Sequence, residues 1–162
     1  MTLTLDQLQT CFRNNFICYY SSHVAHVNIV GRNFVSDHKL LKGIYEARQE
    51  QIDTIAEFIR TLDGQMIDQL QMVITDATID DGPTRGSADE LLLLTRDNLA
   101  ALADDFRDLR EAADEDGLDN IANYADEQVT AITKYLWMLD STLEITPVRP
   151  RPSLEDLFEQ ED

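Results

Sequence analysis

Apolar residues recur at intervals of three and four along four long stretches of the chain, the period of a helix with one buried face. The first stretch covers about residues 5–30 and puts Leu5, Leu8, Phe12, Phe16, Tyr19, His23, Val27 and Val30 on one side. Thr4 and Gln7 have the spacing of a capping box at its start, and Gly31 suits the position just past its end. The second covers about 36–62, with Leu41, Ile44, Tyr45, Ile52, Ile55, Ile59 and Leu62 inward, Asp37 in the first turn and Asp63-Gly64 as the stop. A short helix is expected over 65–74, followed by the main loop, 75–86, which carries Asp80-Asp81-Gly82-Pro83 and Gly86. Ser87 and Glu90 form a second capping box, opening a third helix to about Ala113 with Leu92, Leu99, Leu102, Phe106 and Leu109 inward. An acidic turn around Gly117 leads into a fourth helix, about 120–143, with Ile121, Ala125, Val129, Ile132, Leu136 and Leu139 on one face.

Four long helices with the longest loop between the second and third predict an all-α four-helix bundle, with a long crossover and a short extra helix within it, over residues 1–145. Residues 146–162 read as a separate tail. There Pro147, Pro150 and Pro152 alternate with Val148, Arg149 and Arg151, and Leu154, Leu157 and Phe158 sit among acidic residues. A solvated polyproline-type segment and a peptide that docks on a partner are both compatible with that composition.

Composition supports helices, since glycine and proline number only 6 and 4. No stretch approaches the ~20 apolar residues of a membrane span, and the N-terminus lacks the basic segment of a signal peptide, so a cytoplasmic protein is expected. Cys11 and Cys18, seven positions apart on one helix, are about 10 Å apart along its axis, too far for a disulfide. They read as reduced core or interface residues. The net charge of −18, from 31 acidic and 13 basic residues, repels a phosphate backbone and argues against direct DNA binding.

Candidate chemistry is sparse. The chain has three histidines, His23, His26 and His38, and neither a Glu-x-x-His pair nor a phosphate-binding, nucleophile-elbow or zinc-protease motif. Asp53 and Glu57, four apart on the second helix, project from one face close to the apolar stripe, where a carboxylate needs a partner, either a metal ion or a basic side chain. His38 and Asp53 are fifteen residues apart, about 22 Å along one helix, so they cannot hold the same ion within one chain. Antiparallel pairing of second helices across a two-fold axis would bring His38 of one subunit to Asp53 and Glu57 of another, giving two identical sites per dimer.

The run His26-Val27-Asn28-Ile29-Val30-Gly31-Arg32-Asn33-Phe34, followed by His38, Gly43, Tyr45, Asp53, Ala56 and Glu57, resembles the Dps family of ferritin-like mini-ferritins, as does Tyr135-Leu136-Trp137-Met138-Leu139 near the end of the last helix. The resemblance spans about residues 5–143. It implies a hollow dodecamer that oxidises Fe(II), typically with hydrogen peroxide, stores ferric iron and protects against oxidative damage. It further implies a ferroxidase site at each two-fold interface, with His26 and His38 from one subunit and Asp53 and Glu57 from the other. Such a mixed ligand set also suits zinc, manganese or cobalt. In the acidic turn, Asp114 and Asp119 match positions that guide iron through a three-fold pore, a role set against that of an ordinary solvated turn. Three departures from the family pattern stand out. Val27 replaces a usual Trp, Lys42 stands where many members have Asp, and the N-terminus lacks the lysines of DNA-binding members. Lys42 must swing away or repel a second cation. The alternative function is therefore a non-enzymatic cage with a structural metal at the same place.

Overall fold

A computed structural model describes residues 2–145; the expected tail, 146–162, lies outside them. Five helices follow one another: α1 (Leu3–Asn28), α2 (Phe34–Thr61), α3 (Leu70–Thr75), α4 (Ala88–Glu115) and α5 (Asp119–Thr142). The four long ones form the bundle, and α3 lies in the crossover between α2 and α4. Helix α1 packs against α2, α4 and α3, and α4 against α5. Tyr135 and Tyr124 tie α5 to α2, their hydroxyls donating to the Gly43 carbonyl (3.0 Å) and Gln51 Oε1 (2.8 Å). No described helix is long and apolar enough to cross a membrane.

The helix ends have local causes. Ser87 and Glu90 form the predicted capping box at the start of α4. Helices α2, α4 and α5 all end in Schellman turns, in which the amide two residues past the cap reaches back to the third-last carbonyl: Gly64 to Ile59, Leu118 to Ala113, Ile145 to Asp140. Each turn needs one left-handed residue, supplied by Asp63 (φ 59°), Gly117 (φ 71°) and Glu144 (φ 55°).

Three details differ from the sequence-based expectation. The cap of α1 is Thr2, whose hydroxyl accepts from the Leu5 amide. Thr4 lies inside the helix, fully buried, and donates to the Ala112 carbonyl while binding Asp116 Oδ2 at 2.6 Å, so it lashes the start of α1 to the end of α4. The short helix is α3 at Leu70–Thr75, and Met66 and Ile67 before it pack on the core without helical structure. The second half of the α1 stripe is displaced: Val27 and Val30 are 62% and 72% exposed, and Cys18, Ser22, Ala25 and Ile29 face inward instead. Small residues allow the close helix packing there, and Ser22 satisfies its buried hydroxyl on the Cys18 carbonyl. Both cysteines are buried free thiols; burial first, then nearby aspartates, raises Cys11, and burial pushes Cys18 up to about 12, so both favour the neutral thiol.

Candidate metal centre

Among the described residues the bundle interior offers no carboxylate cluster. Its central polar residue is Arg48, 1% exposed, donating to Gln128 Oε1 (3.2 Å) and Asn15 Oδ1 (3.5 Å). Burial lowers its pKa, and no carboxylate pairs with it among the described residues. A guanidinium without an acid partner repels metal ions, so metal chemistry has to be sought outside the core.

The α1–α2 corner brings two of the candidate ligands together. The turn between the helices is short, and Gly31 adopts φ 143°, a conformation that side chains rarely take, which lets α2 fold back along α1. His26, in the last turn of α1, and His38, in the second turn of α2, meet across this corner with rings stacked at 3.7 Å and 22°. Each Nδ1 lies against the other residue's backbone carbonyl, His26 Nδ1 at 2.8 Å from the His38 oxygen and His38 Nδ1 at 2.7 Å from the His26 oxygen. A carbonyl only accepts, so each Nδ1 carries the proton and donates it. In the neutral rings both Nε2 lone pairs are then left for a metal, with the ring orientations locked.

Three further aromatic residues support the pair. His23 stacks on Tyr45 at 4.2 Å, and Tyr45 lies 5.1 Å from the His26 ring; Phe34 flanks His38 at 4.9 Å. Sequence reasoning placed His23 and Tyr45 only on apolar stripes. Their spacing to the pair, three before His26 and seven after His38, is the signal that puts them on the same faces. Lys42 leans away from the corner toward Glu46, 3.7 Å distant, both side chains about half exposed.

Asp53 and Glu57 lie on the same α2 but point to solvent, a correction to their expected place beside the apolar stripe. At 100° per residue they fall on the side opposite Leu41, Ile44, Ile55 and Ile59, all of which are fully buried. Among the described residues no three His, Cys, Asp or Glu side chains converge closely enough to hold a metal ion. One chain therefore presents a histidine half and a carboxylate half, about 22 Å apart. Asp114 and Asp119 flank the acidic turn, both exposed, and Asp114 pairs with Arg110 at 3.3 Å.

Comparison with known proteins decides the family. The model of the ferritin-like domain matches residues 5–147. The chain is a ferritin-like protein of the Dps mini-ferritin type. Among curated relatives of this mini-ferritin, the DNA protection during starvation protein of Brevibacillus brevis is 28% identical over 131 residues, covering 81% of this chain and 88% of the relative. The crystal structure of a Dps protein from Bacillus brevis superposes with a TM-score of 0.82 at 26% identity, covering 87% of this chain and 95% of that one. A double histidine-to-glycine variant of Dps from Listeria innocua reaches a TM-score of 0.84 at 22% identity, with 90% and 97% covered.

Proposed function

We propose that this mini-ferritin oxidises Fe(II), with hydrogen peroxide as the oxidant, and stores the ferric product inside a hollow shell of identical subunits, twelve by family resemblance. The observation that carries the reading is the mutual carbonyl lock of His26 and His38, which presents two imidazole lone pairs at a chain corner where nothing else needs them. Asp53 and Glu57 of a second subunit supply the anionic half, since carboxylates exposed on the outer face of α2 are free to meet a neighbour. In this reaction iron is substrate and cargo. Two ferrous ions each give one electron to hydrogen peroxide, whose O–O bond breaks and which takes up two protons to leave as two waters, and the two ferric ions hydrolyse to an oxide with a net release of protons. Asp114 and Asp119 line the proposed entry route. The strong negative charge attracts Fe(II) and disfavours direct DNA contact, so protection from oxidative damage is assigned to iron removal.

The test is to add Fe(II) and peroxide to the assembled protein and follow ferric absorbance and particle size. Acceleration with a size-limited mineral is expected; a rate equal to the protein-free control overturns the reading. The second reading, a cage with a structural Zn(II) at the same ligands, rests on Lys42 and Val27 and predicts bound metal without turnover. The lean of Lys42 toward Glu46 weakens it, because the ammonium is then drawn away from the histidine pair.

A further inference from the structure

A cleft of about 350 Å³, at the lower end of the range for ligand sites, opens between the first turns of α2 and the last turns of α5. Asp37, which lines it, is only 5% exposed. It shares a stripe of α2 with the buried Leu41, Ile44 and Arg48, whereas His38 lies about 100° further round the helix, so this carboxylate does not belong to the histidine pair. A buried carboxylate is costly unless something compensates it. The amide dipole in the first turn of α2 compensates in part. No Lys or Arg among the described residues pairs with it. Burial, then the like charge of Asp89 in the first turn of α4, raise its pKa, and the Ser36 hydroxyl opposes them.

The opposite wall has the same electrostatic sign. Trp137, the chain's one tryptophan, stands 63% exposed in it. The face of an indole attracts cations more strongly than that of any other aromatic side chain. The cleft then reaches Ser141 and Thr142 in the last turn of α5, the negative end of that helix, which carries no basic residue. Arg96, which touches α5 at Asp140, is held there at 2.8 Å and by Asp97 at 3.2 Å. Arg32 and Lys39 line a separate depression beyond Asn33 and Ser36. A buried carboxylate, an indole face and a helix C-terminus thus converge on a cleft whose lining includes no cation.

We propose that this cleft binds a small organic cation, an alkylguanidinium, with its N–H groups on Asp37 and its plane on Trp137. A planar fork is selected over a compact ammonium because it donates two parallel hydrogen bonds to a carboxylate while its face stacks on the indole. Leu40 and Met138 in the lining accommodate the alkyl group. Among the lining residues only Asp37 is a strong metal ligand, so the site is not one for iron.

The lone tryptophan reports occupancy. Ethylguanidinium chloride is titrated at millimolar concentrations into the full-length assembled protein, with ethylammonium chloride and sodium chloride as controls at equal ionic strength. Trp137 emission and the heat of binding are followed, and particle size is checked by light scattering. Ethylguanidinium is expected to give a saturable change, half-complete at a concentration about ten-fold below that needed for ethylammonium. Asp37→Asn, which keeps the side chain's shape, is expected to weaken binding about ten-fold or more at unchanged particle size. Trp137→Leu, at an exposed position and followed by heat alone, is expected to weaken it about three-fold. A response no different from that to sodium chloride overturns the site, and so does unchanged affinity in either variant. Equal affinity for the two organic cations overturns the assignment to a guanidinium. Binding that appears only when the particle dissociates also overturns the proposal, and assigns the cleft to a contact with a second copy of the chain.

Discussion

At the residue scale, the proposed function rests on which nitrogen of each histidine is free. Because Nδ1 of His26 and of His38 donates to a carbonyl, the tautomer that leaves Nε2 open to a metal is set by the fold itself. His26→Ala with His38→Ala is expected to lower the peroxide-dependent rate of Fe(II) oxidation at least ~10-fold while leaving particle size unchanged; a wild-type rate would take the pair out of the chemistry. Asp105 illustrates a different residue-level effect. It accepts from Asn14 Nδ2 at 2.7 Å, and the same Asn14 holds the crossover through the amides of Thr78 and Ile79. Burial, opposed by that hydrogen bond and reinforced by Asp108 and Asp104, raises the Asp105 carboxyl to about 6 from 3.8. The folded state therefore holds this proton more tightly than the unfolded chain does. The resulting stability is fully present below pH 3.8 and is lost as pH rises through about 6. Asp105→Asn keeps the acceptor for Asn14 and removes the charge. It is expected to stabilise the protein by roughly 1 kcal/mol at pH 7, discounted for partial exposure, and by less at pH 5, read from denaturant midpoints at the two pH values.

At the element scale, the helices were legible wherever one face is buried and the ends carry local chemistry. All five inward residues named for α4 are buried, and its capping box is in place. Ser87→Ala is expected to cost about 1 kcal/mol, seen as a lower denaturant midpoint with unchanged slope. Helix α1 was read less well because it touches three neighbours. Buried Asn14, Asn15, Ser21 and Ser22 break the apolar stripe there, and each looks polar until its hydrogen-bond partner on another segment or turn is known. Thr4 resembles a cap in the sequence for the same reason, since its partners, Ala112 and Asp116, lie at the end of α4, more than a hundred residues away in sequence.

At the scale of the whole molecule, the proposed site exists only between chains. That gives a test independent of any single substitution. A subunit carrying His26→Ala and His38→Ala is co-assembled with one carrying Asp53→Ala and Glu57→Ala. Each mixed dimer then contains one intact and one doubly disabled site. Random pairing is expected to restore about a quarter of wild-type Fe(II) oxidation, whereas ligands acting within one chain would restore none.

The sequence by itself determined the helix count and most helix ends, because periodicity and capping are properties of the local chain. The 15-residue interval from His38 to Asp53 also fixed that these two side chains cannot meet within one chain, since a helix cannot bring its own ends together. Only the tertiary structure decided how the candidate ligands are presented. The stacking of His26 on His38, the exposure of Asp53 and Glu57 opposite the core, and the burial of Arg48 without an acid partner all depend on how α2 lies against α1 and α5. Side-chain orientation and desolvation are set by neighbours distant in sequence, and no local pattern of apolar and polar residues encodes them.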